Sequence, residues 1–316
     1  MRRRTFLAAG LFTLARGAAG QSGRARRLAL LGIGTKDAFM GGDMLRVFNE
    51  LGRLGYAVDR NLVVDEWYEV ESPESLAFHA RKMAAARPDA FLCEGSPPTL
   101  AAQAATRTIP IVTTVGDPVA LGVAKTLQRP GGNVTGISQA RTELARKQVD
   151  LLLMLRPDIR QVATAYEAPY PGADLLMRGF VEAARSAKLE VHSFTFQDGG
   201  GERLMEDLAK RQVPAVYMLG VSRRVATVAM RRRIALVAAG QQFVRNGALL
   251  SVEPDNSEDY LRIASILDKV LKGSPPGEIP FEVANRFFST LNARTAESIG
   301  IRVTPEMRLR IDRVIE

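Results

Sequence analysis

The sequence predicts an α/β fold of two lobes, each a parallel sheet covered by helices. Three observations point there. Short runs are apolar throughout, amphipathic stretches at helical spacing separate them, and the alternation breaks at Arg129-Pro-Gly-Gly-Asn133 before starting again. Strands that are apolar at every position are those buried on both faces of a sheet. Their alternation with helices makes βαβ units.

The first unit begins with the strand Arg27-Leu-Ala-Leu-Leu-Gly32. A helix carrying Leu45, Phe48 and Leu51 on one face follows and stops at Gly55, where the left-handed conformation is free of steric cost. Leu62-Val-Val-Asp-Glu-Trp67 is the second strand, and Pro73-Glu-Ser-Leu76 opens a helix whose Leu76, Ala80 and Met83 share a face. Ala90 to Cys93, a helix from Pro98, and Ile109 to Val115 continue the rhythm. After the break, Val134 to Ser138 is a strand and Thr142 to Leu155 a helix. Strands at Gln161–Tyr166, Glu190–Phe196, Ala215–Leu219 and Ile234–Val237 make a second sheet. The strand Leu249 to Asp255, a helix over Asp259 to Leu271, a Pro-rich linker at 275–280 and a tail with Phe287 to Leu291 complete the chain.

The N-terminus reads as an export signal. Met1-Arg-Arg-Arg-Thr-Phe-Leu7 is a basic head, Phe6 to Leu14 a short apolar run, and Gly17-Ala-Ala-Gly20 a small-residue segment. The apolar run is too short to cross a bilayer core of about 30 Å. Arg3-Arg4-Thr5-Phe6-Leu7 fits a twin-arginine pattern, and no cysteine stands near it to take a lipid. Without residues 1–20 the 316-residue chain keeps 296, enough for two lobes of about 150. The formal charge of +9 drops to +5, which does not demand nucleic acid. The lone Cys93 sits in an apolar strand and reads as core.

Catalytic and metal chemistry find little support. Gly32-Ile-Gly34 lacks the third glycine of a dinucleotide fingerprint, position 37 being Asp, so it reads as a tight turn at a strand end. His79 and His192 are the only histidines and belong to no ligand motif. There is no G-x-S-x-G elbow. Ser96 and Thr99 suit an anion-binding helix start or simple capping. Asp117, at the end of a buried strand and before Pro118, suits either a cap or a partner for a ligand ammonium or hydroxyl. Arg223, Arg224, Arg231, Arg232 and Arg233 flank an apolar helix face and read as a solvated edge.

Several motifs in order resemble the ABC-transporter substrate-binding proteins of the tryptophan/tyrosine-binding type. They are Gly95-Ser-Pro-Pro-Thr, Gly116-Asp-Pro-Val, Arg129-Pro-Gly-Gly-Asn-Val-Thr-Gly-Ile-Ser, Phe243-Val-Arg-Asn-Gly, Val270-Leu-Lys-Gly and Thr295-Ala-Glu-Ser-Ile-Gly. The resemblance runs from about Arg27 to the C-terminus. It implies a type I periplasmic-binding-protein architecture: two Rossmann-like lobes with parallel sheets, joined by three inter-lobe crossings. Residues 24–138 plus 255–284 would form lobe I, and 139–254 plus 285–316 lobe II.

Carried onto this chain, the resemblance puts Thr35, Ser96, Thr99 and Asp117 on the first wall of the ligand cleft. The second wall takes Tyr166, Glu167, Ser222, Gln241, Glu253 and Asp255. Two sites depart from the pattern: Glu167-Ala-Pro169-Tyr170 stands where relatives have Asn-Pro, and Ser251-Val-Glu253 where they have Ser-Tyr-Gly. The expectation is a periplasmic, monomeric binding protein for a small polar molecule, with no cofactor and no nucleic acid. Its partner would be an ABC permease of the inner membrane. A sensory ligand-binding protein and an exported enzyme using the same cleft are the alternatives.

Periplasmic protein should therefore begin after about residue 20. N-terminal sequencing checks this, and an intact Met1 in that compartment contradicts it. Replacing Arg3 and Arg4 together by lysine separates the routes: twin-arginine export collapses, general secretory export continues.

Overall fold

The computed structural model describes residues 24–33, 43–68, 72–168, 170, 173–255, 258–284 and 286–316. The signal segment and Thr35 lie outside them. The described residues form 13 strands and 11 α-helices. In the first half these are β1 (Arg26–Leu31), α1 (Asp43–Arg53), β2 (Leu62–Trp67), α2 (Pro73–Ala85), β3 (Ala90–Glu94), α3 (Ser96–Ala105), β4 (Ile111–Val115) and β5 (Val134–Ser138). The second unit runs α4 (Arg141–Leu155), β6 (Gln161–Glu167), α5 (Ala173–Ser186), β7 (Glu190–Phe196), α6 (Gly201–Lys210), β8 (Ala215–Met218), α7 (Arg223–Arg231), β9 (Ala235–Ala238), α8 (Gln241–Arg245) and β10 (Leu250–Pro254). Then come α9 (Asp259–Leu271), β11 (Glu282–Val283), β12 (Phe287–Asn292), α10 (Ala293–Ser298), α11 (Pro305–Leu309) and β13 (Arg313–Ile315).

Among these residues one sheet has the order β11-β5-β4-β3-β1-β2 and the other β13-β12-β10-β9-β8-β6-β7. The chain passes between sheets three times: from β5 to β6, from β10 to β11 and from β11 to β12. Every pair in the first sheet is parallel. The second is mixed, because β12 returns antiparallel to β10. The other pairs of the second sheet are parallel, as expected of Rossmann-like lobes.

Side chains alternate between the faces, and each face has its own cover. Leu28 and Leu30 of β1 pack under α1 and α9, while Ala29 and Leu31 pack under α2 and α3. In the second sheet Val162 packs under α4 and α5, and Ala163 and Ala165 pack under α6 and α7. Burial on both faces is why these strands are apolar throughout. The face of α1 differs from the expected one. Met44, Val47 and Leu51 are buried, whereas Leu45 is 49% exposed.

Ser72 caps α2, its Oγ accepting the Ser75 N–H at 3.2 Å, with Pro73 at the first helical position. The Arg129–Asn133 break turns the chain into β5 and is held by Asn133, whose Nδ2 donates to Ile109 O at 2.8 Å.

Gly136 in β5 is fixed by sterics. Its φ is +147°, and a Cβ there would lie 1.9 Å from the backbone oxygen of Thr113 on β4. Gly136→Ala should destabilise by roughly 2–5 kcal/mol, combining backbone strain with overpacking. Gly132→Ala, where a Cβ would meet nothing within 4 Å, should melt close to wild type. Thermal or urea melts of both variants test the pair; equal melting points would overturn it.

Candidate functional site

Both sheets contain the same core order, 2-1-3-4-5 in the first and 7-6-8-9-10 in the second. Each therefore has a point where successive connections leave in opposite directions, between β1 and β3 and between β6 and β8. Open α/β sheets bind ligands beyond the strand carboxyl ends at such points. The strand exits define the two walls.

On the first wall the exits of β3, β4 and β5 are tied through Gly116. Its N–H donates to Ser96 Oγ at 3.1 Å, and its carbonyl accepts from Ser138 Oγ at 2.9 Å. Ser96 thus braces β4 and does not cap its own helix, whose N-cap is Gly95. Thr99 faces inward. It is 0% exposed, donates from Oγ1 to Gly95 O at 2.7 Å and shares a hydrogen bond with Thr113 Oγ1 at 2.6 Å. Of the first three residues of α3, only Ser96 has an amide hydrogen, since Pro97 and Pro98 have none. That helix start is a poor anion receptor, although helix starts in general attract anions.

Asp117 reaches across the first crossing. Its Oδ2 accepts from Thr142 N at 3.0 Å and from Thr142 Oγ1 at 2.7 Å, so it caps α4, a helix of the second sheet. Between them Ala140 takes the left-handed conformation, φ 47° and ψ 46°, which a residue with a Cβ adopts at some cost. Arg141 begins α4, and its Nε and Nη2 donate to Gln139 Oε1 at 3.2 and 3.0 Å.

The second wall is braced in the same manner. Glu167 accepts the Gly199 N–H at 2.8 Å, and Tyr166 donates to Asp174 Oδ1 at 3.3 Å. Ser222 caps α7 through Val225 N–H at 3.2 Å. Glu253 accepts the Gln241 N–H at 3.2 Å, and Gln241 Oε1 accepts from Arg313 at 2.9 Å. Burial raises the Glu253 carboxyl above its ordinary range; the Gln241 N–H, Arg313 and Arg245 oppose that without cancelling it. Asp255 N–H donates to Arg286 O at 2.9 Å, which joins the second crossing to the third.

A pocket of about 200 Å³ opens where the walls meet at the first crossing. Ser96, Gly116 and Asp117 line it from the first sheet, and Arg141, Thr142 and Arg178 from α4 and α5. The structure thus brings together two of the residues chosen from sequence, Ser96 and Asp117. Thr99, Tyr166, Glu167, Ser222, Gln241, Glu253 and Asp255 do not line it. Arg141 went unnoticed, though a basic residue straight after a sheet-to-sheet crossing was visible. So did Glu94, a strand-end carboxylate that accepts from Tyr260 OH at 3.0 Å.

A larger hollow, about 420 Å³ at Arg294, Arg302 and Arg308, lies beyond the end of β12, the end of the second sheet away from the crossings. Among the described residues no group of three or more His, Cys, Asp or Glu could hold a metal. His79 stacks on Trp67, ring centroids 3.4 Å apart, and Cys93 is buried, which pushes its thiol up.

Known proteins fit this geometry. A tyrosine-binding protein of Clostridioides difficile is 24% identical over 255 residues, 78% of this chain and 73% of the relative. Among solved structures, a conserved domain protein of Vibrio cholerae superposes with a TM-score of 0.79 at 23% identity, covering 92% of this chain and all of the other. An ABC domain from Streptococcus pneumoniae in complex with L-Trp gives 0.77 at 20% identity, with 92% and 100% covered. These likenesses establish the two-lobed type I periplasmic-binding-protein fold. The model of the ABC transporter substrate binding protein family matches residues 47–315, from within α1 to β13 and across all three crossings, and the chain belongs to that family.

Proposed function

We propose that this protein is the exported solute-binding component of an ABC importer, which captures a small polar ligand, an amino acid or related molecule, between hinged lobes. The observation that carries the reading is the family match over both sheets, joined to a pocket at the first crossing with groups from each. We divide the lobes as residues 24–138 plus 255–284 and 139–254 plus 285–316. Three crossings suit a hinge, since few residues have to absorb the rotation. Ligand bound by both lobes favours the closed arrangement by its differential affinity for that form. A permease in the inner membrane then reads the closed form. No helix among the described residues is long and apolar enough to cross a membrane, which suits a protein that diffuses in the periplasm once its signal is removed.

Native mass spectrometry of freshly purified periplasmic protein should reveal a co-purified small molecule, and small-angle scattering should show a smaller radius of gyration when it is added back. An unchanged radius at saturation would contradict hinged closure.

Asp117 and Ser96 stay on the ligand wall in this reading, with Thr35 as a further candidate. Thr99 does not, because its hydroxyl is enclosed. Asp117 has two roles that substitution separates. Asp117→Ala should cost about 1 kcal/mol by removing the cap, whereas Asp117→Asn should keep most of it, Asn capping about as well as Asp. Loss of a charge-assisted ligand bond in Asp117→Asn should weaken binding by about 1.5–3 kcal/mol, roughly 10- to 100-fold. Melts and calorimetric titration with the co-purified ligand read both, and unaltered affinity would leave Asp117 a cap alone.

Glu253 gives a pH signature. A carboxyl whose folded pKa is raised contributes stability at low pH that is lost as pH rises through that value. Glu253→Gln keeps an oxygen for the Gln241 N–H and carries no charge. It should melt above wild type at pH 7–8, the difference vanishing below the ordinary glutamate range, about 4.3. A gap of constant size across pH would contradict this.

A further inference from the structure

We infer that Arg141 is the anchor for a carboxylate on the ligand, so that the pocket selects organic acids over their neutral analogues. This rests on the reading that the pocket at the first crossing holds the ligand.

Arg141 is out of place as a purely structural residue. It is the first residue of α4, where the helix dipole favours anions and disfavours a cation. No carboxylate among the described residues lies within ion-pair distance of it. Of the two carboxylates on the pocket wall, Asp117 places both its hydrogen bonds on Thr142, and Glu182 makes no ion pair with Arg141. Half-buried charges are normally paired, because removing them from water without compensation is costly. Here the guanidinium is partly buried and unneutralised. It is also held in place, since Gln139 takes two of its donors and is itself only 9% exposed. Side chains that break a local rule and are oriented by a neighbour are the mark of a preorganised binding group.

The surroundings specify the class of anion. A guanidinium fork matches the two coplanar oxygens of a carboxylate. Ser96 Oγ accepts from Gly116 N–H, which leaves its own proton to donate into the same pocket. Arg141 and Arg178 line the pocket with Asp117 and Glu182, two charges of each sign, so a singly charged carboxylate upsets the balance less than a phosphate dianion. The start of α3 cannot substitute, because Pro97 and Pro98 remove two of the amides that would have held an acid there. Arg141 supplies the anion contact that this helix start lacks.

The test uses the full mature chain with acetate and acetamide as minimal probes. In protein labelled with 15N-arginine, the Nε–H signal of Arg141, assigned by its loss in Arg141→Gln, should move saturably with acetate and stay still with acetamide. Arg141→Lys keeps the charge and loses the fork, and should weaken the acetate response roughly tenfold or more, read from a second probe such as Gln139 side-chain amide signals. Both variants should still melt cooperatively, lowered only by the loss of the bonds to Gln139 Oε1. An Nε–H signal that acetate does not shift, or that acetamide shifts equally, overturns the inference. A co-purified ligand without a carboxylate would also overturn it while leaving the solute-binding reading intact. Absence of ligand-driven closure would instead strike at that broader reading.

Discussion

The backbone of Gly116 is the constraint on which the site depends. Its N–H is held by Ser96 Oγ and its carbonyl by Ser138 Oγ, so the exits of β3, β4 and β5 are fixed relative to one another by two hydrogen bonds on one residue. A side chain at this position would crowd both neighbours, since a Cβ would lie 3.2 Å from Ser96 Oγ and 3.2 Å from Arg141 Cγ. The next residue, Asp117, carries the connection onward to α4. A single short segment therefore aligns three strand ends of one lobe and the first helix of the other. Backbone groups satisfied inside the protein are worth most where water is excluded, and Gly116 is buried.

Topology explains why this junction faces a ligand and not the core. Each sheet repeats one strand order, and in each the helices before and after the switch point lie on opposite faces. The strand exits between them are left uncovered by the lobe's own helices. Three crossings join the two sheets, and at the first of them strand exits of one sheet and helices of the other line a common pocket. The antiparallel β12 does not disturb this arrangement. It adds to the second sheet beyond β10, outside the repeated order, and carries the chain back after the third crossing.

Much of the fold was legible because each parallel strand, buried on both faces, writes an uninterrupted apolar run. Predicted and observed strands agree to within about two residues at most boundaries. What could not be read was which way side chains point when an element starts a residue or two early. Taking α3 to start at Pro98 leaves Thr99 free at a helix start; beginning at Ser96, the helix turns Thr99 onto β4 and Thr113. On α1 apolar residues occur at more than one helical face, and packing under β1 chose Met44 and Val47 over Leu45. Asp117 was recognisable as a strand-end carboxylate with two roles open to it. Its partner Thr142 lies 25 residues on, a pairing that local patterns do not encode.

The three crossings differ in how they are held. The first is bolted by side chains: Asp117 caps α4, Gln139 orients Arg141, and Ala140 sits between them in a left-handed conformation that only its surroundings maintain. The second and third are joined to each other by Asp255 N–H to Arg286 O. Beside them Arg262 bridges the buried Asp259 and Glu282, all three within the first lobe. Separation of the exit of β4 from α4 breaks both Asp117 bonds at once and releases Ala140 from its constraint. The side-chain bonds that tie the exit of β4 to α4 thus lie at the first crossing, beside the pocket that Arg141 and Ser96 line.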